Sequence, residues 1–320
     1  MKVFTQQQIA ASINVEFAAQ ALREGFIAYS QGNVKVPPVQ HFAFAQANGD
    51  CCVKSAWVEG SDTFTVKVST GFYSNPAKGL PSNSGLMMVL CANTGEPLAL
   101  LQDEGWLTSL RTALAGRIAA RALAPSLVKG IGILGTGSQA RLQLEYLMPV
   151  TNCRQVTVWG RTAQALADYR QFAQGLGFTV TTTLSAEQVA RAANLIVTTT
   201  PSREALLRRE WIRPGTHITA VGADAHGKQE LEPQLVAAAD VVVADSIAQC
   251  SAFGEVSHAV KAGLLQPSRL VELGQLLAGN ATARRDDEQI TLVDLTGVAV
   301  QDAVIARCAF RASAGLQTGM

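Results

Sequence analysis

The stretch Ile131-Gly132-Ile133-Leu134-Gly135-Thr136-Gly137-Ser138-Gln139-Ala140 decides the fold. It passes from a short apolar run through two closely spaced glycines into RLQLEYL, whose apolar residues recur at helical spacing. A strand, a glycine turn and a helix in this order form the GxGxxA variant of the dinucleotide-binding fingerprint. A plain tight turn is the alternative, and the presence of both flanking elements disfavours it.

The small residues of this motif each have a physical reason. Gly135 permits the tight turn, Gly137 lets the backbone approach a pyrophosphate, and Ala140 lets the helix lie against its strand. Ser138 and Gln139 open the helix, whose N-terminal amides and dipole favour phosphate. We therefore expect Gly135, Gly137, Ser138 and Gln139 to bind the cofactor.

Downstream of the fingerprint, the chain alternates between apolar strands and amphipathic helices. The predicted strands are QVTVWG (155–160), ANLIVTTT (193–200), HITAVGAD (217–224), DVVVAD (240–245) and ITLVD (290–294). Apolar strands separated by helices are typical of a parallel sheet buried on both faces. The predicted fold class is therefore α/β, with a Rossmann-type doubly wound parallel sheet over residues 116–298.

Upstream, residues 1–115 predict a β-rich α+β domain. Thr5 would cap a helix that runs to about Gln31, and residues 40–70 alternate like strands around Asn48-Gly49, a strong hairpin signal. A Gly/Pro/Ser/Asn-rich loop covers residues 71–85, and a second hairpin turns at residues 93–95. We expect the C-terminal segment 299–320 to complete this domain, with its helix packed against it.

The second strand of the parallel sheet indicates which nicotinamide cofactor binds. Sites that prefer NAD(H) place Asp or Glu at the end of this strand, where it binds the ribose 2′-hydroxyl. Here the strand ends in Gly160-Arg161-Thr162, without a carboxylate. Arg161 can pair with a 2′-phosphate and Thr162 adds a hydroxyl, so NADP(H) is favoured over NAD(H). The alternative is that Arg161 is a solvated loop residue.

Composition disfavours several other classes of protein. The 26 basic residues balance 25 acidic ones, so we expect no nucleic-acid partner. No apolar stretch approaches the ~18 residues of a transmembrane helix and no signal-peptide pattern opens the chain. We expect no membrane partner and a cytoplasmic location. The cysteines lack metal-ligand spacing, which predicts reduced thiols and no metal, with Cys51-Cys52 as strand residues rather than a redox pair.

From residue 67 onward, nearly the whole chain resembles the ornithine cyclodeaminase/mu-crystallin family. The matching stretches are Lys67 before NPAKGLPSNSG (75–85), TGEPLALL (94–101), LTSLRTALAG (107–116), GTGSQA (135–140), VTTTPS (197–202), AVGADAHGKQEL (220–231), GEVSHA (254–259) and LTGVAVQDAVIA (295–306). The resemblance implies a homodimer whose sheet is formed by the first domain. It also implies that this domain binds substrate, in a pocket between the two domains.

The resemblance further implies roles for individual residues. Lys67 resembles the active-site lysine that contacts the substrate carboxylate or relays a proton, and Arg111 resembles the arginine that binds this carboxylate. Asp224 resembles the acidic residue that orients water or moves protons, and Thr112 resembles a cofactor-phosphate contact. The matching stretches supply the other expected contacts, which are Ser82 for substrate and Thr198, Thr199, Thr200, Val221 and Gly222 for the cofactor.

These roles have physical support beside the resemblance. Asp224 follows a predicted strand, and ligands of this fold bind at the carboxyl ends of its strands. A carboxylate beside a lysine in a closed cleft has a displaced pKa suited to acid–base work. The alternatives are that Lys67 is an exposed strand lysine, that Arg111 pairs with Asp103 or Glu104, and that Asp224 caps the next turn.

The chain departs from the family pattern at positions that contact substrate. Val39 and Gln40 follow VPP, where family members commonly have an arginine for the substrate carboxylate, and Ala56-Trp57 replaces a usual Met-Pro pair. On an ungapped comparison, Lys54 stands where ornithine cyclodeaminases have the acidic residue near the terminal amine of the substrate. A lysine there would repel a second ammonium group, which argues against ornithine.

Together these features predict an NADP(H)-dependent oxidoreductase that acts on the C–N bond of an amino acid or its imine. Lys67 and Asp224 would handle protons while Arg111 holds the carboxylate. Two alternatives stay open. One is an ornithine cyclodeaminase, which converts ornithine to proline plus ammonia and recycles NAD internally. The other is a non-catalytic NADPH-dependent ligand-binding protein, as in the mu-crystallin branch.

Overall fold

The computed structural model describes residues 1–316. Within them the helices are α1 Gln6–Ser12, α2 Val15–Ser30, α3 Trp106–Leu123, α4 Ser138–Leu147, α5 Ala163–Gly175, α6 Ala186–Ala192, α7 Pro233–Ala238, α8 Ile247–Ala252, α9 Glu255–Lys261, α10 Leu273–Leu277 and α11 Ala299–Ser313. The strands are β1 Lys2–Thr5, β2 Val34–Lys35, β3 Gln40–Phe44, β4 Gly49–Val58, β5 Thr63–Phe72, β6 Asn83–Cys91, β7 Pro97–Gln102, β8 Ile131–Leu134, β9 Gln155–Trp159, β10 Thr179–Thr183, β11 Leu195–Thr198, β12 Arg203–Leu207, β13 His217–Ala220, β14 Gln229–Leu231, β15 Val241–Ala244, β16 Leu270–Glu272 and β17 Thr291–Asp294.

The chain divides into two compact units. The first comprises Met1–Arg111 and the segment from Val298 onward, and the second comprises Thr112–Gly297. One boundary falls within α3 and the other lies just before α11. Both boundaries are a few residues away from those predicted from the sequence.

The first unit is built on a mixed sheet with the order β1-β7-β6-β5-β4-β2, and β3 also pairs with β4. The pair β1–β7 is parallel and the other pairs are antiparallel. Helices α2 and α11 pack together, and α11 lies against β4 and β5. Burial alternates along β5, where Thr63, Thr65 and Lys67 are buried while the residues between them are half-exposed. One face of the sheet is therefore covered.

The N-terminal helix differs from the prediction. The sequence suggested one helix from Thr5 to about Gln31, whereas the structure has α1 and α2, separated at Ile13 and Asn14. Thr5 caps α1 as predicted, and the Asn14 side chain accepts a hydrogen bond from the Phe17 amide to start α2. The strands β1 and β2 were not predicted. The hairpin at Asn48 is confirmed, since this residue has a left-handed φ of 47° between β3 and β4.

The second unit contains a parallel sheet with the order β10-β9-β8-β11-β13-β17-β15-β16 among the described residues. Its strand pairs are all parallel, which confirms the predicted Rossmann-type sheet. The core strands β8, β11 and β13 are fully buried. The edge strands β10 and β16 and the small sheet β12–β14 were not predicted, because these segments are short or threonine-rich.

The strand order reverses beside β8, which places a topological switch point there. The chain moves from β8 through β9 to β10 on one side and continues with β11 on the other. The carboxyl ends of β8, β11 and β13 lie at the same level of the sheet, because Leu134 pairs with Thr198 and Thr198 pairs with Ala220. Ligands of open α/β sheets bind at such a point.

Two further features concern the paired cysteines and the apolar character of the helices. Cys51 and Cys52 are consecutive in β4, so their side chains point to opposite faces, and both are free thiols. This supports their interpretation as strand residues. Within the described part of the chain, we find no helix with the length and apolar character needed to cross a bilayer.

Candidate functional site

The turn between β8 and α4 has the geometry that the fingerprint requires. Gly135 has a φ of 121°, and a Cβ there would lie 2.6 Å from the Thr199 Oγ1 atom, so only glycine fits. Gly137 is exposed and has open space where a Cβ would point. Since α4 begins at Ser138, the amides of its first turn lie at this end of the helix, next to the turn. The turn fits a dinucleotide pyrophosphate.

Two buried side chains behind this turn hold α4 in place. Ala140 is fully buried, and its carbonyl accepts a hydrogen bond of 2.8 Å from the Tyr169 hydroxyl. Gln143 donates to the Thr112 carbonyl at 3.1 Å. Thr112, a predicted phosphate contact, thus lies directly beside the fingerprint helix.

The threonines at the end of β11 and directly after it support the loops at the switch point. Thr199 donates its hydroxyl to the Leu134 carbonyl at 3.1 Å, and its amide bonds the same oxygen at 3.0 Å. Thr198 is fully buried and donates its hydroxyl to Glu230 at 2.6 Å. The Thr198 hydroxyl is therefore engaged in the interior. These residues shape the loops at the switch point through backbone and buried contacts.

Glu230, which the sequence did not single out, ties two of these loops together. It accepts hydrogen bonds from the amides of Thr200 (2.5 Å) and Gly222 (2.8 Å), in addition to the one from the Thr198 hydroxyl. A Cβ on Gly222 would collide with the Thr200 carbonyl and with Glu230, so this contact needs glycine. Val221 donates its amide to the Thr198 carbonyl at 3.0 Å. Burial raises the pKa of Glu230 to about 6.

Two further buried carboxylates, those of Glu255 and Asp294, lie near Glu230 in the interior of the second unit. Glu255 accepts from the amides of Glu230 and Leu231 at 2.7 and 2.9 Å, and Asp294 accepts from the Val256 amide at 2.9 Å. Burial raises the pKa of Glu255 and of Asp294 well above the ordinary values. Among residues 1–316, no cluster of His, Cys, Asp and Glu is arranged to hold a metal ion.

The end of β9 carries the residues predicted to select the cofactor. Arg161 is exposed, and Thr162 caps α5 by accepting a hydrogen bond of 3.3 Å from the Ala165 amide. Trp159, the last residue of β9, pairs with Leu134 at the end of β8. Arg161 and Thr162 therefore follow the strand next to the fingerprint, where the ribose of a dinucleotide lies in this fold.

Asp224 lies in the loop after β13, as predicted. Its side chain is 55% exposed and its Oδ1 atom is 2.6 Å from the Lys228 Nζ atom, whose side chain is 16% exposed. The ion pair holds the carboxylate at the carboxyl end of the parallel sheet.

The first unit contains a buried charged cluster of Lys67, Arg111, Gln301 and Asp302. Lys67 lies on β5, and its Nζ atom is 2.9 Å from Asp302 Oδ2 on α11. Arg111 Nε is 3.1 Å from Asp302 Oδ1, and Arg111 Nη1 donates to Gln301 Oε1 at 2.8 Å. The side chains of Lys67, Arg111 and Asp302 are only 2%, 7% and 3% exposed. The alternative of an exposed Lys67 is therefore wrong, and Arg111 pairs with Asp302 rather than with Asp103 or Glu104.

The cluster has displaced proton affinities. Burial, with smaller contributions from the charges of Arg111 and Lys54, lowers the pKa of Lys67 to about 8 against the opposing effect of Asp302. Burial alone would raise the pKa of Asp302, but the charges of Lys67 and Arg111 outweigh it and lower that pKa. These shifts favour the ionised form of Asp302 and bring the proton exchange of Lys67 closer to neutral pH.

Orphaned polar atoms border the cluster. Gln301 Nε2 and Asp103 Oδ1 are buried, and neither has a hydrogen-bond partner among the described residues. The other oxygen of Asp103 accepts from the Leu107 amide at 2.8 Å, and burial raises the Asp103 pKa to about 6. Buried polar groups in native proteins are nearly always paired, so these atoms suit a polar ligand.

The predicted site residues are not all brought together. Ser82 pairs with Phe72, because its carbonyl accepts the Phe72 amide at 2.7 Å. This places it roughly 16 Å along β5 from Lys67, so Ser82 is not beside the cluster. Gln301 and Asp302 were missed, although they belong to a matching stretch. The available signal was two adjacent polar residues within the otherwise apolar first half of α11.

The sequence matches one known protein family over almost its whole length. The family described as ornithine cyclodeaminase/mu-crystallin matches residues 1–314. The chain belongs to the ornithine cyclodeaminase/mu-crystallin family. This confirms the resemblance inferred from separate stretches of sequence.

Curated relatives cover almost the whole chain. An uncharacterized cyclodeaminase of Sinorhizobium fredii is 38% identical over 317 residues, covering 97% of this chain and 95% of the relative. Alanine dehydrogenase of Archaeoglobus fulgidus is 34% identical over 309 residues, covering 96% and 94%. Iminosuccinate reductase of Paracoccus denitrificans is 30% identical over 307 residues, covering 96% and 95%.

Solved structures of the family have the same fold. An archaeal alanine dehydrogenase dimer with bound NAD has a TM-score of 0.91 and 32% identity, covering 98% of this chain and 96% of the other. Thermococcus litoralis Δ1-pyrroline-2-carboxylate reductase with NADH and L-proline has a TM-score of 0.91 and 27% identity, covering 100% of both chains. Both relatives therefore share the fold of this chain over almost its whole length, and both are described with a bound nicotinamide dinucleotide.

Proposed function

We propose that this protein is an NAD(P)-dependent oxidoreductase that acts on the C–N bond of an amino acid or its imine. The main support for this proposal is the buried Lys67–Asp302–Arg111 cluster. It combines an arginine that binds a carboxylate with a lysine of lowered pKa. Relatives named alanine dehydrogenase and iminosuccinate reductase support a substrate of this class.

Arg111 suits the role of carboxylate ligand. Its guanidinium presents several donors in one plane, and only part of them is used by Asp302 and Gln301. The orphaned Gln301 Nε2 atom offers one more donor nearby. Asp302 balances one of the two positive charges, so Lys67 and Arg111 together retain an excess charge that attracts a carboxylate.

Lys67 suits the role of proton donor and acceptor. When bound, the dinucleotide supplies or accepts the hydride. In the reductive direction the imine carbon gains this hydride and the imine nitrogen gains a proton, which Lys67 donates. Oxidation of the amino acid reverses both transfers. A lysine whose pKa is about 8 can do this near neutral pH. We assign Asp224 a second proton-transfer role, through water.

We further propose that NADP(H) is preferred over NAD(H). Arg161 and Thr162 follow β9 without a carboxylate, and the exposed guanidinium of Arg161 is available for a 2′-phosphate. Solved relatives are described with NAD or NADH, so the preference rests on these two residues of this chain. Ser138 and Gln139, at the start of α4, would bind the pyrophosphate.

We also propose a homodimer that forms through the open face of the mixed sheet. Apolar residues on neighbouring strands form cross-strand rows on this face, namely Val53–Val68–Leu86 and Val66–Met88–Leu100. All of these are only half-buried. Val3, Phe42 and Phe44, on the same sheet, are 50%, 51% and 44% exposed. An apolar area of this extent usually marks an interface, and an archaeal relative is described as a dimer.

A cyclodeaminase is the second candidate function. It is favoured by the relative from Sinorhizobium fredii that bears this name. It shares the first half-reaction, because the amino acid is again oxidised to its imine. Lys54 disfavours it, because the side-chain amine of a diamino acid would meet a positive charge. The proposed NADP(H) preference also disfavours it, because a cyclodeaminase recycles NAD internally.

The test combines cofactor titration with turnover. NADPH and NADH are titrated by quenching of tryptophan fluorescence, and cyclic imines and 2-oxo acids with ammonium are then added while NAD(P)H absorbance is followed. We expect tighter binding of NADPH and its oxidation with at least one imine. Arg161→Ala should weaken NADPH about tenfold and leave NADH unchanged. Release of ammonia from ornithine would restore the cyclodeaminase, and binding without turnover would favour a ligand-binding protein.

A further inference from the structure

Lys54 lies directly opposite Lys67 in the mixed sheet. The antiparallel register of β4 and β5 pairs the two residues, so their side chains share one face. Directly opposed residues have Cβ atoms about 5 Å apart. Helix α11 packs against β4 and β5, and its Asp302 side chain reaches Lys67. A ligand that touches Lys67 therefore comes within reach of Lys54.

The charges around this position are predominantly positive. The positive charges of Lys67, Arg111 and Lys54 lower the pKa of Asp302, and the charge of Lys54 also lowers the pKa of Lys67. Asp302 acts on Lys67 in the opposite sense, and Lys67 in turn acts on Asp103, whose protonation is favoured by burial. Two like charges placed directly opposite each other in a sheet repel, and an anion between them relieves the repulsion.

Lys54 is suited to recognise the substrate side chain, since Arg111 and Lys67 already suit the carboxylate and the reacting nitrogen. It is half-buried, so its contact with a ligand is less screened by solvent than that of a surface lysine. An amino acid bound through its α-carboxylate would direct its side chain away from this carboxylate and along the sheet.

We propose that Lys54 binds a second carboxylate, so that the substrate is a short dicarboxylic amino acid or the corresponding 2-imino acid. This inference rests on the proposed C–N oxidoreductase function. The reaction is unchanged: hydride and proton are added across the C=N bond, and NAD(P)H is oxidised. The second carboxylate takes no part in the chemistry and contributes binding and selectivity. A substrate with a cationic side chain is excluded by the same charge.

The first experiment compares oxaloacetate and pyruvate, each with ammonium and NADPH. We expect the wild-type protein to have the higher kcat/KM with oxaloacetate. Lys54→Glu should reduce kcat/KM for oxaloacetate about 10- to 100-fold more than that for pyruvate, because the charge-assisted contact is lost for oxaloacetate alone, whereas the change in the Lys67 pKa affects both substrates. Lys54→Arg should retain the preference. Lys35→Glu is the matched control, because Lys35 is 65% exposed on the same sheet. Equal losses for both substrates in Lys54→Glu would overturn the inference.

A binding experiment separates this inference from the proposed function. Succinate and propionate are titrated into the NADP⁺-loaded protein by calorimetry, so no turnover is needed. We expect succinate to bind more tightly than propionate, and Lys54→Glu to abolish the difference. If no imine is reduced but this difference is found, the oxidoreductase proposal fails and the dicarboxylate site stands. If imines are reduced but succinate binds no better than propionate, the inference about Lys54 fails alone.

Discussion

At the scale of single residues, Asp302 controls the proton affinity of Lys67. Its carboxylate raises a pKa that burial and Arg111 lower. Asp302→Asn removes this effect, so the Lys67 pKa should fall below its value of about 8. Because Lys67 donates its proton in the reductive reaction, activity is present below this pKa and lost above it. The alkaline limb of the kcat profile should therefore move to lower pH, with a loss of about 10- to 100-fold at pH 8.

The measurement is the kcat for imine reduction between pH 6 and 9. Asp62→Asn is a suitable control, because Asp62 is 61% exposed and its contact with Arg311 is long, at 3.5 Å. An alkaline limb that stays in place in Asp302→Asn would show that Lys67 is not the proton donor. A general fall in activity without a shift would leave Asp302 with a purely structural role.

Glu230 provides a prediction about stability. Burial raises its pKa from 4.5 to about 6, so the folded state binds this proton more tightly than the unfolded state does. This contribution to stability is complete below pH 4.5 and is lost as the pH rises through 6. Glu230→Gln has no such titration. The unfolding free energy of the wild type, minus that of the variant, should therefore fall by about 2 kcal/mol between pH 4 and pH 7.

Urea unfolding of both proteins at several pH values measures this difference. Other groups titrate in the same range, among them His217, whose pKa burial lowers to about 3. Groups that do not contact Glu230 are the same in both proteins and cancel in the difference, whereas Glu255, whose pKa is raised by burial and by the Glu230 charge, titrates differently in the variant. A difference that rises with pH would mean that Glu230 is ionised more easily in the folded state than in the unfolded one.

At the scale of elements, the turn β8–α4 distinguishes the roles of its two glycines. Gly135 has a positive φ and a close neighbour in Thr199, whereas Gly137 has an ordinary φ of −76° and open space. Gly135→Ala should therefore destabilise the second unit by about 1–3 kcal/mol. Gly137→Ala should cost less, at most about 1 kcal/mol, because its methyl group meets no neighbour and the only loss comes from alanine being a poorer N-cap than glycine.

Cofactor affinity should separate the two variants from each other. Gly137→Ala folds normally yet places a methyl group where the pyrophosphate approaches, so its Kd for NADPH should rise at least about tenfold. Chemical denaturation and fluorescence titration of the two variants provide the comparison. Unchanged affinity in Gly137→Ala would mean that the dinucleotide does not lie over this turn.

Elements defined by consecutive residues could be predicted from the sequence. The fingerprint, the strands around it and the hairpin at Asn48 are examples, since each depends on local pattern and turn chemistry. Helix α2 was merged with α1 because the capping role of Asn14 lay within a continuous helical pattern. The polar edge strand β10 was missed because its threonines show no apolar run.

The charged cluster shows the limit of such prediction. Lys67 and Arg111 were identified by resemblance, whereas their shared partner Asp302 lies far along the chain on α11. Only the folded first unit, in which α11 lies on β4 and β5, brings them together. Local sequence carries no information about such a contact. The same holds for Glu230, whose three donors come from Thr198, Thr200 and Gly222.

At the scale of the whole molecule, the open face of the mixed sheet predicts self-association. Val68 lies in the middle of a cross-strand row, between Val53 and Leu86. Val68→Lys places a charge in an apolar interface and should weaken the dimer by at least about 100-fold. Because Val68 is half-exposed, the fold of each protomer should tolerate the lysine.

Sedimentation velocity over a range of protein concentrations tests this prediction. The wild type should sediment as a dimer at micromolar concentration, and Val68→Lys as a monomer. Leu127→Lys makes the same kind of change at a residue of the second unit that is 63% exposed, and should leave the dimer intact. A monomeric wild type would contradict the proposed homodimer. A dimer that Val68→Lys does not weaken would place the interface elsewhere, because a charge buried in an apolar contact is costly wherever it occurs.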